Sequence, residues 1–494
     1  MADSLNLFAE SNLRAVVSFT DSTVALHVLE RPPFTYPLLS ATEPTTLNPT
    51  ANPYSIPSVP EFERSWATWD LVTLGMIPKD LLHSKPIDLR HKPLFYIGHL
   101  PTFANILLSR CLQAKPVGPR PYLTIFERGI DPSVDDPDQC HSHSEVPERD
   151  EDWPVIEDVL AYRDDVRENV IKRLIGEMER GERPLTRRAA RTLMMVLEHD
   201  GFHIETLLYM LIQRAGTGML PPPGFAPPPW ETLAAQWDAT PAPRTATVEL
   251  GPATITLGHD DQEPDDELPA LAGDVSAHEF GWDNESPARA VDVPKFRVEW
   301  RPVTNGEFLA FWRGAGAGKV DMPASWTTDG CGAGEADPRV RTLYGPVPMR
   351  YARHWPCLTA YDDLAAFAAH KGGRIPREAE LRLFLDAYQV SYAEGANTGF
   401  RHWHPLPATA GADGRGSNGG VWEWTATPLA AHEGFAGTTI FPGYSSDFFD
   451  GAHMTVLGAS YATVPRLGDR RTVRNFYQHN YPYPWVAARV AYDL

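Results

Sequence analysis

Residues 183–216 read RPLTRRAARTLMMVLEHDGFHIETLLYMLIQRAG, and their pattern decides the first half of the fold. Apolar side chains recur along this stretch at the three- and four-residue spacing of one helix face. His199 and His203 lie four residues apart, so both imidazoles fall on one side of that helix, near enough to share a metal ion. Working outward, three more segments carry the same period: FERSWATWDLVTLGMI from Phe62, FYIGHLPTFANILLSRCL from Phe95 and WPVIEDVLAYRDDVRENVIKRLIGEMERG from Trp153. Four such helices suffice for a bundle, expected over residues 62–216. Pro101 lies within the second segment and predicts a start or a kink there.

A long connection follows the second segment and contains FERGIDPSVDDPDQCHSHSEVP at 126–147, long enough to be a functional loop. Upstream, AVVSFTDSTVALHVLERPPF reads as a hairpin around an aspartate-serine turn, and residues 33–60 as an irregular connector. Downstream, the Pro-rich tract 217–243 is the strongest domain boundary. Residues 244–494 then change to short strands, Gly-rich and aromatic turns, and helix candidates at TAYDDLAAFAAHKG and PREAELRLFLDAY. The expectation is an α+β protein.

The composition narrows the function. With 494 residues the chain is too long for one ordinary core. Lys+Arg number 44 against 64 Asp+Glu, a formal charge of −20, which makes a poor partner for nucleic acid or an anionic membrane. No window holds eighteen consecutive apolar residues, and the start MADSLNLFAESNLR lacks the basic and apolar regions of a secretory signal, so a cytoplasmic location is expected. Cys111, Cys140, Cys331 and Cys357 form no CxxC pair and read as free thiols.

HDGFH differs from the zinc-protease pattern HExxH, since Asp200 and Gly201 follow the first histidine. Taken alone, the pair fits core or solvent histidines as well as ligands. Glu205 points elsewhere on the helix and could orient a ligand histidine. His99, in FYIGHLPTF, offers a third imidazole, because facing helices of a bundle supply ligands to one interior site. Three histidines leave positions open on an octahedral ion, which suits iron(II) chemistry with dioxygen and a second substrate. His141 and His143 of the HSH triplet are expected at the surface.

With these blocks in hand, the chain resembles a family. The helical region with His99 and HDGFHIET looks like the DinB-like bundle of the ergothioneine-biosynthesis sulfoxide synthases. The second domain looks like their formylglycine-generating-enzyme-like, C-type-lectin-type module. The blocks that carry this likeness are HEFGWDNESPAR (278–289), RPVTNGEFLAFW (301–312), GGRIPREAELR (372–382), GGVWEWT (419–425), VLGASYA (456–462) and the run RNFYQHNYPYPWVAARVAYD (474–493). The synthase half of the fungal bifunctional form is the nearest likeness. Residues 1–61 resemble the end of its methyltransferase plus connector, without a Gly-rich loop for S-adenosylmethionine, so a separate histidine methyltransferase is the expected source of hercynine.

The resemblance implies that His99, His199 and His203 hold a non-haem iron(II). It implies oxygen-dependent coupling of a cysteine thiol to imidazole C2 of hercynine, giving hercynylcysteine sulfoxide. Asn475, Phe476 and Tyr477 match where the family binds hercynine; an amide and aromatic faces suit an imidazole and a quaternary ammonium. Tyr444 is the choice for the family's proton-donating tyrosine. Phe441 competes for that position, and Tyr96 is the fallback. Arg128 is the candidate cation for the thiol substrate's carboxylate. Three alternatives stay open: coupling to unmethylated histidine, thiol dioxygenation, and a silent ligand-binding paralogue. Cysteine is preferred to γ-glutamylcysteine by similarity alone. The family's GGSW appears as Gly458-Ala459-Ser460-Tyr461, and no Cys follows Cys357, which excludes formylglycine generation itself.

Overall fold

A computed structural model describes residues 56–214, 225–240, 245–276, 278–331, 337–411 and 413–494, together with Leu47, Met219, Pro221 and the backbone of 14–20 and 25–30. Strands β1 (Arg14–Thr20) and β2 (Ala25–Glu30) pair antiparallel as the expected hairpin. The aspartate-serine turn between them, most of the connector and both ends of the Pro-rich tract lie outside the described residues.

Four long helical segments build the first domain. Helix α1 (Val59–Leu74) starts at Ser58, whose hydroxyl accepts from the Glu61 amide, with Pro60 in the first turn. Helix α2 (Pro93–Cys111) begins at Pro93, eight residues before the position proposed from Pro101, and runs through Pro101. Nearly every residue of α2 is buried, so packing on all sides compensates the hydrogen bond that a proline cannot donate. Helix α3 runs from Ile156–Asp165 through a π-helical stretch, Val166–Lys172, into Arg173–Glu179. Helix α4 (Arg187–Gln213) is capped by Thr186, which accepts from the Ala189 amide, and packs against α1 and α2.

Helix α5 (Trp230–Ala239) lies within the Pro-rich tract and docks on the second domain, with the Trp230 ring 5.5 Å from Trp355 and 4.8 Å from His404. The second domain mixes short strands with helices α6 (Asn305–Arg313), α7 (Tyr361–His370) and α8 (Glu378–Tyr388). The last two match the helix candidates of the sequence. Strands β3 (Thr247–Leu250), β4 (Ala253–Leu257), β5 (Arg289–Val293) and β6 (Phe296–Glu299) form small antiparallel pairings. The central sheet has β7 (Val421–Pro428), β8 (His453–Ala459), β9 (Asn475–Gln478) and β10 (Val486–Ala487) in the order β9-β8-β7-β10, antiparallel except for β7 with β10. The whole is α+β. Among the described residues no helix is long and apolar enough to cross a membrane.

The two domains meet along α4. Glu205, buried, accepts from the Trp422 indole at 2.8 Å and from the Thr463 hydroxyl at 2.7 Å. Glu198 accepts from the Trp282 indole at 2.8 Å and pairs with Arg470, which also pairs with Glu285. Arg466 reaches back to Glu61 of α1 at 2.7 Å. Gly201 faces the same surface: a Cβ there would stand 2.8 Å from a Val464 methyl.

Candidate metal centre

The sequence spacing is realised as a cluster. One ring nitrogen from each of His99, His199 and His203 lies within 4.8 Å of the others, the first from α2 and the last two from α4. His99 Nδ1 lies 2.7 Å from the Phe126 carbonyl, a bond that fixes the ring and leaves Nε2 for a ligand. The Nδ1 atoms of His199 and His203 are buried without a hydrogen-bond partner. Orphaned buried nitrogens cost stability unless something coordinates them, and three neutral imidazoles are the donor set of a divalent transition metal. Burial holds all three neutral: His99 is pushed down to about 4, and His199 and His203 fall well below the ordinary range, because a proton on either would also be repelled by one on a neighbouring imidazole. The residues therefore fit a metal ion. Phe103, one turn beyond His99, stacks on His199 at 3.6 Å and 7°.

A cavity of about 220 Å3 opens onto these histidines. Arg128, Tyr444, Asn475, Phe476 and Tyr477, all singled out in the sequence, line it. Asn475–Tyr477 reach it because β9 is the edge strand, paired to β8 through Thr455↔Phe476. The Asn475 amide donates to the Tyr477 hydroxyl at 3.3 Å, and its oxygen accepts from the Phe476 backbone N–H at 2.8 Å. Tyr444 stacks on Trp282 at 4.1 Å; its hydroxyl bonds to none of the described residues, and burial raises its pKa well above the ordinary phenol. Phe441, 6.2 Å from Tyr444, packs edge-on against Phe103 at 5.0 Å. Tyr96 does not line the cavity; its hydroxyl accepts from the His91 amide, and burial pushes its pKa up to about 12. Arg128 pairs with Asp447 at 2.8 Å.

Some lining residues escaped the sequence. His141 was expected at the surface but lies in the cavity wall, its ring 5.2 Å from Phe448, because the second domain closes over its loop. His143 is exposed as expected. Trp282, which holds Tyr444, carried no local signal of that role. Phe103, which stacks on His199 without lining the cavity, could have been found, four residues after His99 on the same helix face.

A three-histidine cluster at the junction of a helical bundle and a mixed α+β domain defines a class: a bundle able to hold a metal ion, joined to a domain that completes its cavity. Residues 61–207 match the DinB superfamily, and residues 239–411 match the sulfatase-modifying factor enzyme 1-like domain. The chain is 34% identical to "Ergothioneine biosynthesis protein 1" of Neurospora crassa over all of its own length and 63% of that protein. It is 35% identical to the protein of the same name in Schizosaccharomyces pombe, over 88% of this chain and 56% of that one. "Hercynine oxygenase" of Mycobacterium tuberculosis is 28% identical over 61% of this chain and 71% of its own. The chain thus belongs with these homologues to the family that joins a DinB domain to a sulfatase-modifying-factor-like domain, and it spans less than two thirds of its fungal relatives.

Proposed function

We propose that the chain is an iron(II)- and dioxygen-dependent sulfoxide synthase that joins the thiol of cysteine to imidazole C2 of hercynine. The observation that supports this most is the convergence of three imidazoles from the bundle, two buried and one half-buried, and aromatic rings from the second domain on one cavity. His99, His199 and His203 would hold the iron(II), which when bound supplies redox chemistry with dioxygen. Each turnover consumes one dioxygen, takes one hydrogen from C2 and one from the thiol, and releases one water with the sulfoxide.

The chain's own residues do the rest. Trp282, Phe448, Phe476 and Tyr477 offer aromatic faces, and no Asp or Glu is among the described residues that line the cavity. Such a wall attracts a trimethylammonium group and favours hercynine over histidine. The Asn475 amide orients the imidazole. Arg128 offers a guanidinium to the cysteine carboxylate. Tyr444, kept protonated by burial, is the proton donor. In this reading residues 62–216 are the metal-binding unit, 217–243 the linker and 244–494 the cavity-completing unit, with residues 1–61 resembling a methyltransferase end. A cytoplasmic setting, with hercynine supplied by a histidine methyltransferase, completes the proposal.

A second reading, thiol dioxygenation, is supported by Phe441, whose ring packs on the phenylalanine that stacks on His199. The test loads the protein anaerobically with iron(II), adds hercynine and cysteine, admits oxygen and identifies products by mass spectrometry. Hercynylcysteine sulfoxide from the wild type and none from His199→Ala is expected. Cysteine sulfinate alone would favour the second reading. No bound iron and no product would sink both and leave a silent paralogue.

A further inference from the structure

Granted that the cavity takes a thiol, its polar end bears on which thiols fit. Arg128 is the only arginine or lysine among the described residues that line the cavity. Its side chain is 19% exposed. Nη2 donates to Asp447 Oδ2 at 2.8 Å and to the Gly443 carbonyl at 3.4 Å, and Nη1 donates to the Pro442 carbonyl at 3.5 Å. The guanidinium also lies over the Phe441 ring, 5.4 Å from its centroid. A cation withdrawn this far from water needs a counter-charge, and Asp447 supplies it from outside the cavity lining.

The turn is built to deliver that carboxylate. Gly443 sits at φ +83°, and a Cβ there would stand 2.6 Å from the Asp447 carboxylate. Any side chain at 443 would therefore strain the backbone and push the carboxylate off Arg128. The same turn carries Phe441 and Tyr444 into the cavity wall.

We propose that Asp447 is a positioning residue for Arg128: it occupies the guanidinium as a stand-in carboxylate until the carboxylate of an amino-acid thiol replaces it. The exchange keeps the guanidinium paired throughout, and the Pro442 and Gly443 carbonyls stay available to it. Asp447, already 29% exposed, is released toward water. A thiol without a carboxylate cannot displace Asp447 and gains nothing at this end of the cavity.

The experiment is calorimetry on anaerobic, iron(II)-loaded protein titrated with cysteine and with cysteamine, which lacks the carboxylate. Asp447→Asn should bind cysteine about two- to fivefold more tightly than wild type, the worth of releasing a part-exposed ion pair, with cysteamine affinity unchanged. Backbone hydrogen exchange gives a second readout that needs no variant. Cysteine, but not cysteamine, should speed exchange of the Tyr444 and Phe448 amides, which bond to the Phe441 and Ser445 carbonyls within the turn. Unchanged or weaker cysteine binding by Asp447→Asn, or equal effects of the two thiols on wild-type exchange, would overturn the proposal. Selective cysteine binding without any sulfoxide product would overturn the coupling reaction and leave the role of Asp447 standing.

Discussion

Arg489→Met tests whether the second domain depends on one buried ion pair. Arg489 makes a two-pronged contact with Glu423, at 2.6 and 3.0 Å, with the two side chains 2% and 0% exposed. It also donates to the Glu299 and Trp300 carbonyls and lies 4.0 Å over the Phe384 ring. Methionine fills similar volume but strands the carboxylate, with only the Asn418 amide left as a donor at 2.9 Å. The stranded group escapes by taking a proton. From an ordinary glutamate pKa of about 4.3, that costs about 3.7 kcal/mol at pH 7 and about 1 kcal/mol at pH 5. Carbonyls left without their donor add about 1 kcal/mol. The loss should therefore be about 4–5 kcal/mol at pH 7 and about 2 kcal/mol at pH 5, in the range for breaking a buried pair. The sign follows from a raised folded-state pKa: stability is retained below the unfolded value and lost as pH rises through the folded one. Urea unfolding followed by tryptophan fluorescence at both pH values measures it. Adding Glu423→Leu should restore most of the loss. A deficit under about 1 kcal/mol at pH 7, or one equal at both pH values, would refute the reasoning.

Burial against Trp355 and Trp230 pushes His404 down from 6.5 to about 4. Its contribution, about 3 kcal/mol, is present above pH 6.5 and lost as pH falls through 4, so His404→Phe should flatten the decline in unfolding free energy over that window. Iron(II) at about one hundred times its dissociation constant should stabilise the wild type by about 2.7 kcal/mol, and His203→Ala should abolish the rise in melting temperature. Gly201→Ala gains about 1 kcal/mol of helix propensity but forces a methyl into Val464, at about 1–3 kcal/mol. A net loss in urea unfolding is expected, and a net gain would mean the domains yield at that contact. Tyr444→Phe should lower sulfoxide formation about a hundredfold and raise cysteine sulfinate, both read by mass spectrometry.

The periodic parts of the fold were legible because helices longer than ten residues repeat their apolar face often enough to be seen. Helix α6 was not read from RPVTNGEFLAFW, although Thr304 and Glu307 form a capping box whose two reciprocal bonds the structure contains. Its nine residues show too few turns for a period. Helix α5 was hidden by the prolines around it. His141 was misjudged for another reason: an i, i+2 pair in a polar loop is normally solvated, and only the second domain, more than three hundred residues on, covers it.

The stretch HDGFHIET could be read in two ways, and it serves both at once. His199 and His203 turn toward α2 and His99, which the four-residue spacing announced. Glu198, Gly201 and Glu205 turn toward the second domain, where two buried carboxylates take indole N–H groups and the glycine admits Val464. Nothing in the local sequence distinguishes a carboxylate meant for a distant tryptophan from one meant for a ligand histidine, so Glu205 could be assigned to either. The consequence is mechanical. The helix that carries two of the three histidines is also the helix on which the second domain is fastened. Trp282, held by Glu198, carries Tyr444 on its face, so the register of this one helix sets the distance between the metal site and the wall opposite it.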